Sequence, residues 1–171
     1  AASFLELGQK AGGKTIALLA ADQEFAQNLA LTARDVAKKM NMQVVETATN
    51  KPADQDFTAQ LTKLRAADCD LIAMGSIVRD AIIPYATARK MGWNVDMIGT
   101  TASYDFAVSG AQGGVTEGFY AMSQIDAPYP DTATPEAKQW IEKYKAKFNT
   151  DPNIAAALGQ VVIDFVVFAL D

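Results

Sequence analysis

Thr15-Ile16-Ala17-Leu18-Leu19-Ala20 carries no charge, and just beyond it the period changes: from Glu24 onward Phe25, Leu29, Ala33, Val36 and Met40 recur at spacings of three and four. An apolar run of that length suits a strand buried on both faces, and the stripe that follows suits one face of a helix of about four turns. The unit is strand then helix, and the rest of the chain repeats it. Met42 to Thr47 reads as a second strand, and Asp56 can cap a helix that turns Phe57, Leu61 and Leu64 the same way. Asp70 to Gly75 reads as a third strand, with a helix from about Val78 to Met91 that stops at Gly92. Pro84 lies inside that helix and predicts a kink or a late start, because proline has no amide proton and clashes one turn back. Asp96 to Gly99 is a short fourth strand, Phe106 to Gln112 a short helix and Gly118 to Ser123 a fifth strand. Thr134-Pro135-Glu136 sets a cap, a first-position proline and a first-turn acid before Trp140, Tyr144 and Phe148.

Strands alternating with helices at this spacing imply a parallel sheet covered on both faces, since each right-handed crossover lays a helix on the sheet. The expected fold is α/β and doubly wound. Ligands of such sheets bind outside the carboxyl ends of the strands. That rule nominates four loops: Ala21 to Phe25, Asn50 to Asp54, Ser76 to Arg79 and Thr100 to Tyr104.

The 171 residues are half apolar, enough for one sizeable core, and carry a net charge of −5 with Lys and Arg scattered singly. No basic stripe exists with which to neutralise phosphates or anionic lipid, so nucleic acid is not an expected partner. The lone Cys69 cannot form an intrachain disulfide. The absence of histidine removes the commonest metal ligand and general base, and no cofactor or metal is expected. The apolar run from Val161 to Leu170 is interrupted by Asp164 and is shorter than the roughly 20 residues that span a bilayer, so it reads as a buried helix. Ala1 opens into an amphipathic stretch (Phe4, Leu5, Leu7) with no basic leader. A mature or truncated chain would look the same, so this end does not fix the compartment.

Gly8-Gln9-Lys10-Ala11-Gly12-Gly13-Lys14-Thr15 matches the phosphate-loop pattern letter for letter. Its context is reversed: a phosphate loop follows a strand and opens a helix, whereas here a helix precedes and a strand follows. A phospho-acceptor receiver domain would need an Asp ending the third strand and a Lys ending the fifth, where this chain has Met74-Gly75-Ser76 and Met122-Ser123-Gln124. A flavin site would want a small polar loop where Asp22-Gln23-Glu24 stands. Ser76 has no nearby base, and no loop offers a nucleophile, base and oxyanion donor together, so no catalytic residues are assigned and an enzyme is not expected. Asp22 and Glu24 could form an acid pair for catalysis, but two carboxylates at a helix N-terminus more often complement its dipole. The Trp140, Tyr144, Phe148 stripe reads as core packing, and Phe25 is divided between core and cleft.

Lys14-Thr-Ile-Ala-Leu-Leu-Ala-Ala-Asp-Gln-Glu-Phe25, Asp56-Phe57-Thr-Ala-Gln-Leu61-Thr-Lys-Leu64 and Ala88-Arg89-Lys90-Met91-Gly92-Trp93 together resemble one family. It is the branched-chain amino acid type of periplasmic binding protein, the receptor of ABC importers. The resemblance implies two Rossmann-like lobes closing on a ligand. Residues 1–150 would be the second lobe, and 151–171 a helix belonging to a first lobe this chain lacks. With the alternation it predicts a five-stranded parallel sheet in order 2-1-3-4-5. It implies a periplasmic or extracellular protein, held at the membrane where it is a lipoprotein, whose partners are a small organic ligand, an ABC permease and the missing lobe. Carried over position by position, it places an aromatic cleft wall at Phe25, the loop after the third strand at Ser76, Ile77 and Val78, and the loop after the fourth at Thr100 and Thr101. The family's usual acid for the ligand ammonium falls on Thr101. A buried ammonium without a carboxylate partner costs several kcal/mol. The expected ligand is therefore an apolar or aromatic carboxylate or an amino-acid-like molecule, bound as cargo for transport. A ligand-sensing regulatory domain of the same fold is the alternative.

Overall fold

The computed structural model describes residues 5–6, 9–10, 12–52, 54–75, 77–123, 125 and 131–170, with the side chains of residues 25, 26, 29, 78 and 79 also outside the description. The chain forms two compact units, residues 1–122 and 123–171.

In the first unit β1 (Thr15–Ala21), α1 (Glu24–Lys39), β2 (Gln43–Asn50), α2 (Thr58–Ala66), β3 (Leu71–Gly75), α3 (Val78–Lys90), β4 (Asp96–Gly99), α4 (Phe106–Ser109) and β5 (Tyr120–Ala121) follow in order. The sheet is five-stranded, ordered β2-β1-β3-β4-β5, and every pairing is parallel. The expected order is the observed one. Because β1 has a neighbour on each edge and helices on each face, Ile16 to Ala21 are all buried. Successive side chains of a strand point to opposite faces, and the two cores follow that alternation. Ala17, Leu19, Ile72, Met74 and Met97 join Phe57, Leu61 and Leu64 beside α2 and Tyr85 and Ala88 of α3 on one face. Ile16, Leu18, Leu71, Ala73 and Ile98 join Leu5 and the Ala33 and Ala37 positions of α1 on the other. Each fully buried Leu or Ile contributes on the order of 1.5–3 kcal/mol, so the sheet holds its helices by both faces at once.

Several boundaries move for local reasons. β2 runs on to Asn50 because it pairs with β1 as far as Ala21. The Thr58 amide and hydroxyl both donate to the Asp56 carboxylate at 2.8 and 2.6 Å, so Asp56 serves the helix start from one residue before the Phe57 cap position. α3 begins on time and continues through Pro84 to Lys90, so the expected late start is not found. α4 ends at Ser109, short of Gln112, where the Val108 carbonyl accepts from the Thr116 hydroxyl at 2.5 Å. β5 is only Tyr120–Ala121, since Gly118 turns at a φ of +81° that a strand cannot adopt.

Arg89 fixes where β4 begins. Its guanidinium donates to the carbonyls of Trp93 and Val95 at 2.8 and 3.0 Å and to the Tyr85 hydroxyl at 2.9 Å, and lies 4.2 Å over the Tyr85 ring. Tyr85 in turn donates to the Glu117 carbonyl and meets Phe119 edge-on with centroids 5.4 Å apart.

In the second unit α5 (Pro135–Phe148) starts as expected, with the Thr134 hydroxyl accepting from the Ala137 amide at 3.3 Å. The Trp140 indole donates to Gln160 of α6 (Ile154–Leu170) at 3.0 Å. Trp140, Tyr144 and Phe148 do contact in series, yet Phe148 is 53% exposed and the buried residue of this helix is Ile141. The stripe is thus only partly core. The reading of Val161–Leu170 as a buried helix is corrected: Phe165 is 71% and Phe168 81% exposed, because burial needs an opposing apolar surface and none among the described residues covers these side chains. No helix among the described residues is long and apolar enough to cross a membrane.

The lysine and threonine of the phosphate-loop look-alike serve a carboxylate of the chain itself. The Lys14 and Thr15 amides and the Thr15 hydroxyl donate to one Asp70 oxygen at 2.8, 3.0 and 2.9 Å, joining the starts of β1 and β3. These bonds, the Lys14 and Thr15 amides foremost, hold the Asp70 carboxyl below the usual aspartate range. A lowered folded pKa contributes stability that is fully present above the ordinary aspartate value and is lost as pH falls through the folded one. Asp70→Ala is expected to cost about 1 kcal/mol at neutral pH, discounted for its exposure, with the difference from wild type vanishing in acid. Urea unfolding at pH 7 and at steps down through the acid range checks both parts, the difference shrinking once pH drops below the ordinary aspartate value.

Candidate functional site

A parallel sheet brings the carboxyl ends of its strands to one edge, and here that edge holds Ala21, Asn50, Gly75, Gly99 and Ala121. The register aligns Ala20 with Gly75 and Met74 with Gly99, so the segments leaving β1, β3 and β4 stand side by side. Strand order reverses between β1 and β3, the position where open α/β sheets accept ligands.

After β1 the Asp22 amide donates to the Asn50 carbonyl at 2.7 Å, and the Gln27 amide side chain donates to the Asp22 carboxylate at 2.7 Å. Asp22 is therefore engaged in closing the turn into α1, and Glu24 lies in that helix's first turn, as the dipole reading expects. Phe25 follows as the second helical residue; its side chain lies outside the described set. After β3, Ser76 lies outside the described residues. Ile77 occupies the cap position of α3 in extended conformation, 48% exposed, and Val78 is the first helical residue, its side chain undescribed. After β4, Thr100 is extended and half-buried and leads into a single 3-10 turn, Thr101–Ser103, closed by the Ser103 amide on the Thr100 carbonyl at 2.9 Å. Thr101 is also half-buried. The backbone segments of Phe25, Ile77, Val78, Thr100 and Thr101 thus reach one edge on three neighbouring strands.

The edge offers hydroxyls, helix starts and an apolar side chain. Among the described residues no group of three or more acids or cysteines could hold a metal ion. Burial pushes the Cys69 thiol up to about 11, which keeps it protonated and unreactive.

Behind this edge lies a pair the sequence reading did not find: Asn50, which opens one of the nominated loops, and Asp80, which lies outside all four. Asn50 and Asp80 are 2% and 1% exposed, and the Asn50 amide donates to the Lys51 carbonyl at 3.1 Å and to the Asp80 carboxylate at 3.4 Å. Spacing gives no signal for Asp80: it stands about 100° around α3 from the stripe of Ala81, Tyr85 and Ala88, one turn before the buried Pro84.

A family model described as periplasmic binding protein matches residues 1–171. The chain belongs to the periplasmic binding protein family. A leucine-, isoleucine-, valine-, threonine- and alanine-binding protein of Pseudomonas aeruginosa is 24% identical over 140 residues, 82% of this chain and 36% of that protein. The branched-chain amino acid substrate-binding protein of Streptococcus pneumoniae, solved with isoleucine, superimposes with a TM-score of 0.77 at 24% identity, over 96% of this chain and 47% of that one. A fatty acid ABC transporter substrate-binding protein of Thermomonospora curvata gives 0.73 at 18% identity, over 86% and 39%. This periplasmic binding chain spans less than half the length of each of these.

The β4 exit depends on a missing side chain. A methyl group on buried Gly99 would overlap Ser103 and come within 2.9 Å of the Phe119 ring. Gly99→Ala is expected to push the 101–103 turn outward and cost about 1–3 kcal/mol by overpacking. Guanidinium unfolding should register the loss, and amide exchange at Ser103 and Tyr104 should rise with it.

Proposed function

We propose that this chain is the second lobe of a solute-binding receptor of an ABC importer, in which Phe25, Ser76, Ile77, Val78, Thr100 and Thr101 face a small ligand and no bond of that ligand is broken. The observation that carries the reading is the convergence of the exits of β1, β3 and β4 on one edge of a periplasmic binding protein sheet. Selection at such an edge is by shape and hydrogen bonding. Residues 1–150 form the lobe, and the helix within 151–171 belongs to the first lobe. The exposed Val161–Leu170 surface supports this, since a long apolar helix surface in water calls for an opposing lobe to cover it. The permease is the membrane partner, and the receptor works in the periplasm or at the outer face of the cell.

The ligand class follows from charge. Thr101 cannot neutralise an ammonium, and two acids near the edge already accept hydrogen bonds, Asp22 from Gln27 and Asp105 from the Ala107 amide at 2.9 Å. An apolar or aromatic carboxylate avoids the several kcal/mol that an unpaired ammonium costs.

Titration calorimetry of the full-length protein should detect benzoate or phenylacetate more tightly than leucine. Leucine binding at micromolar or tighter, with no response to the aromatic acids, overturns the ligand class. Phe25→Ala should weaken aromatic-acid binding about thirtyfold, the equivalent of about 2 kcal/mol, if the ring is a cleft wall. A loss of about 3–5 kcal/mol in stability with unchanged affinity places the ring in the core instead.

A further inference from the structure

The residues able to touch a ligand stand on three different loops, and something must hold those loops in register. Among the described residues the buried polar or charged side chains are Asn50, Asp80, Ser103 and Thr116. Asn50 and Asp80 come from elements 30 positions apart and meet each other. Asn50 ends β2, at the outer edge of the sheet, beside the last residue of β1. Its carbonyl accepts the Asp22 amide, the first residue beyond β1. Its side-chain amide spans the Lys51 carbonyl, the first residue beyond β2, and the carboxylate of Asp80, in the first turn of α3 after the β3 exit. One residue thereby touches the departures from three strands, its backbone carbonyl that of β1 and its side chain those of β2 and β3.

We propose that the buried Asn50–Asp80 pair is a positioning device that sets the exits of β1, β2 and β3 relative to one another, and so fixes the spacing of the ligand-facing segments around Phe25 and Ile77. Neither residue needs to touch the ligand. The 3.4 Å contact is long, but it is excluded from water, where a polar group left without its partner is costly. The first turn of α3 is also the one place on that helix where a buried carboxylate gains from the dipole. Burying both groups has a cost that an apolar pair would avoid, so their value lies in specifying one arrangement of the loops. The effect on binding rests on the solute-binding reading above; the effect on the loops does not.

The test is amide hydrogen exchange on the full-length protein carrying Asn50→Ala, Asp80→Ala or both, alongside benzoate and leucine titrations of the same variants. Exchange at Asp22 and at residues 77–79 should quicken about tenfold while amides of Leu18 and Ile72, at the centre of the sheet, stay within twofold of wild type. The double variant should cost less than the sum of the two single ones, because the shared contact is already gone in each. Equal acceleration at loops and strand centres, or additive effects of the two substitutions, overturns the inference by making the residues independent contributors to global stability. Should Asp80→Ala not fold, Asp80→Asn closes the same cycle under the same criteria. Whichever probe binds the wild type should bind the variants at least fivefold more weakly, and unchanged affinity with loosened loops overturns the positioning role. A wild type that binds neither probe, with the loop result intact, counts against the ligand class and leaves the loop coupling standing.

Discussion

Strand β1 is the constraint on which the first unit depends. It has a partner on each edge and a core on each face, and every residue from Ile16 to Ala21 is buried. A strand so enclosed admits no polar side chain, and its own alternation is fixed because a one-residue shift would exchange the two cores. The irregularity opposite Ile16 and Ala17 is taken up by β2 at the sheet edge. Its amide groups are satisfied by β2 on one side and β3 on the other, which places the two succeeding βα units on either flank. The reversal of strand order beside β1 is the direct consequence, and the reversal is what opens the edge where loops diverge.

The two ends of β1 use polar groups differently. At its start, Asp70 gathers the Lys14 and Thr15 amides and the Thr15 hydroxyl in an exposed position. At its end, Asn50 and Asp80 lie out of water. An exposed carboxylate can exchange protein donors for water at small cost, whereas a buried pair must keep its partners. The amino-terminal edge of the sheet is thereby a place for ordinary stability, and the carboxyl-terminal edge a place where geometry is specified.

Periodicity carries the parts of the fold that sequence can reveal. The unbroken apolarity of Ile16–Ala20 and of Leu71–Met74 and the stripe through Ala33 and Ala37 leave one arrangement, a parallel sheet covered on both faces. What periodicity misses is set by single long-range bonds. The polar alternation of Glu46 to Asn50 conceals that β2 continues as an edge strand opposite Ala21. The end of α4 depends on a hydroxyl from Thr116, eight positions away, and the length of β5 on the backbone angle at Gly118. Proline in α3 is tolerated because buried Pro84 sits among packed neighbours, where tertiary packing outweighs a local propensity. At the candidate site the loops were legible from strand ends alone. The Asn50–Asp80 pair was not, since pairing across 30 residues leaves no mark in local periodicity.

The exposed apolar groups extend this reasoning. Ile77, at the cap position beyond β3, is 48% exposed, and Val161 to Leu170 present a larger apolar surface in the second unit. Isolated apolar side chains in water need no special explanation, and Ile77 alone would be one of these. The helix differs, because beyond the single polar stripe of Gln160 and Asp164, which bond each other at 2.6 Å, its exposed side chains from Val161 to Leu170 are apolar. At about 25 cal/mol per Å2, covering such a helix contributes several kcal/mol, comparable to the net stability of a small domain. An opposing lobe that covers it would therefore be held by a force independent of ligand.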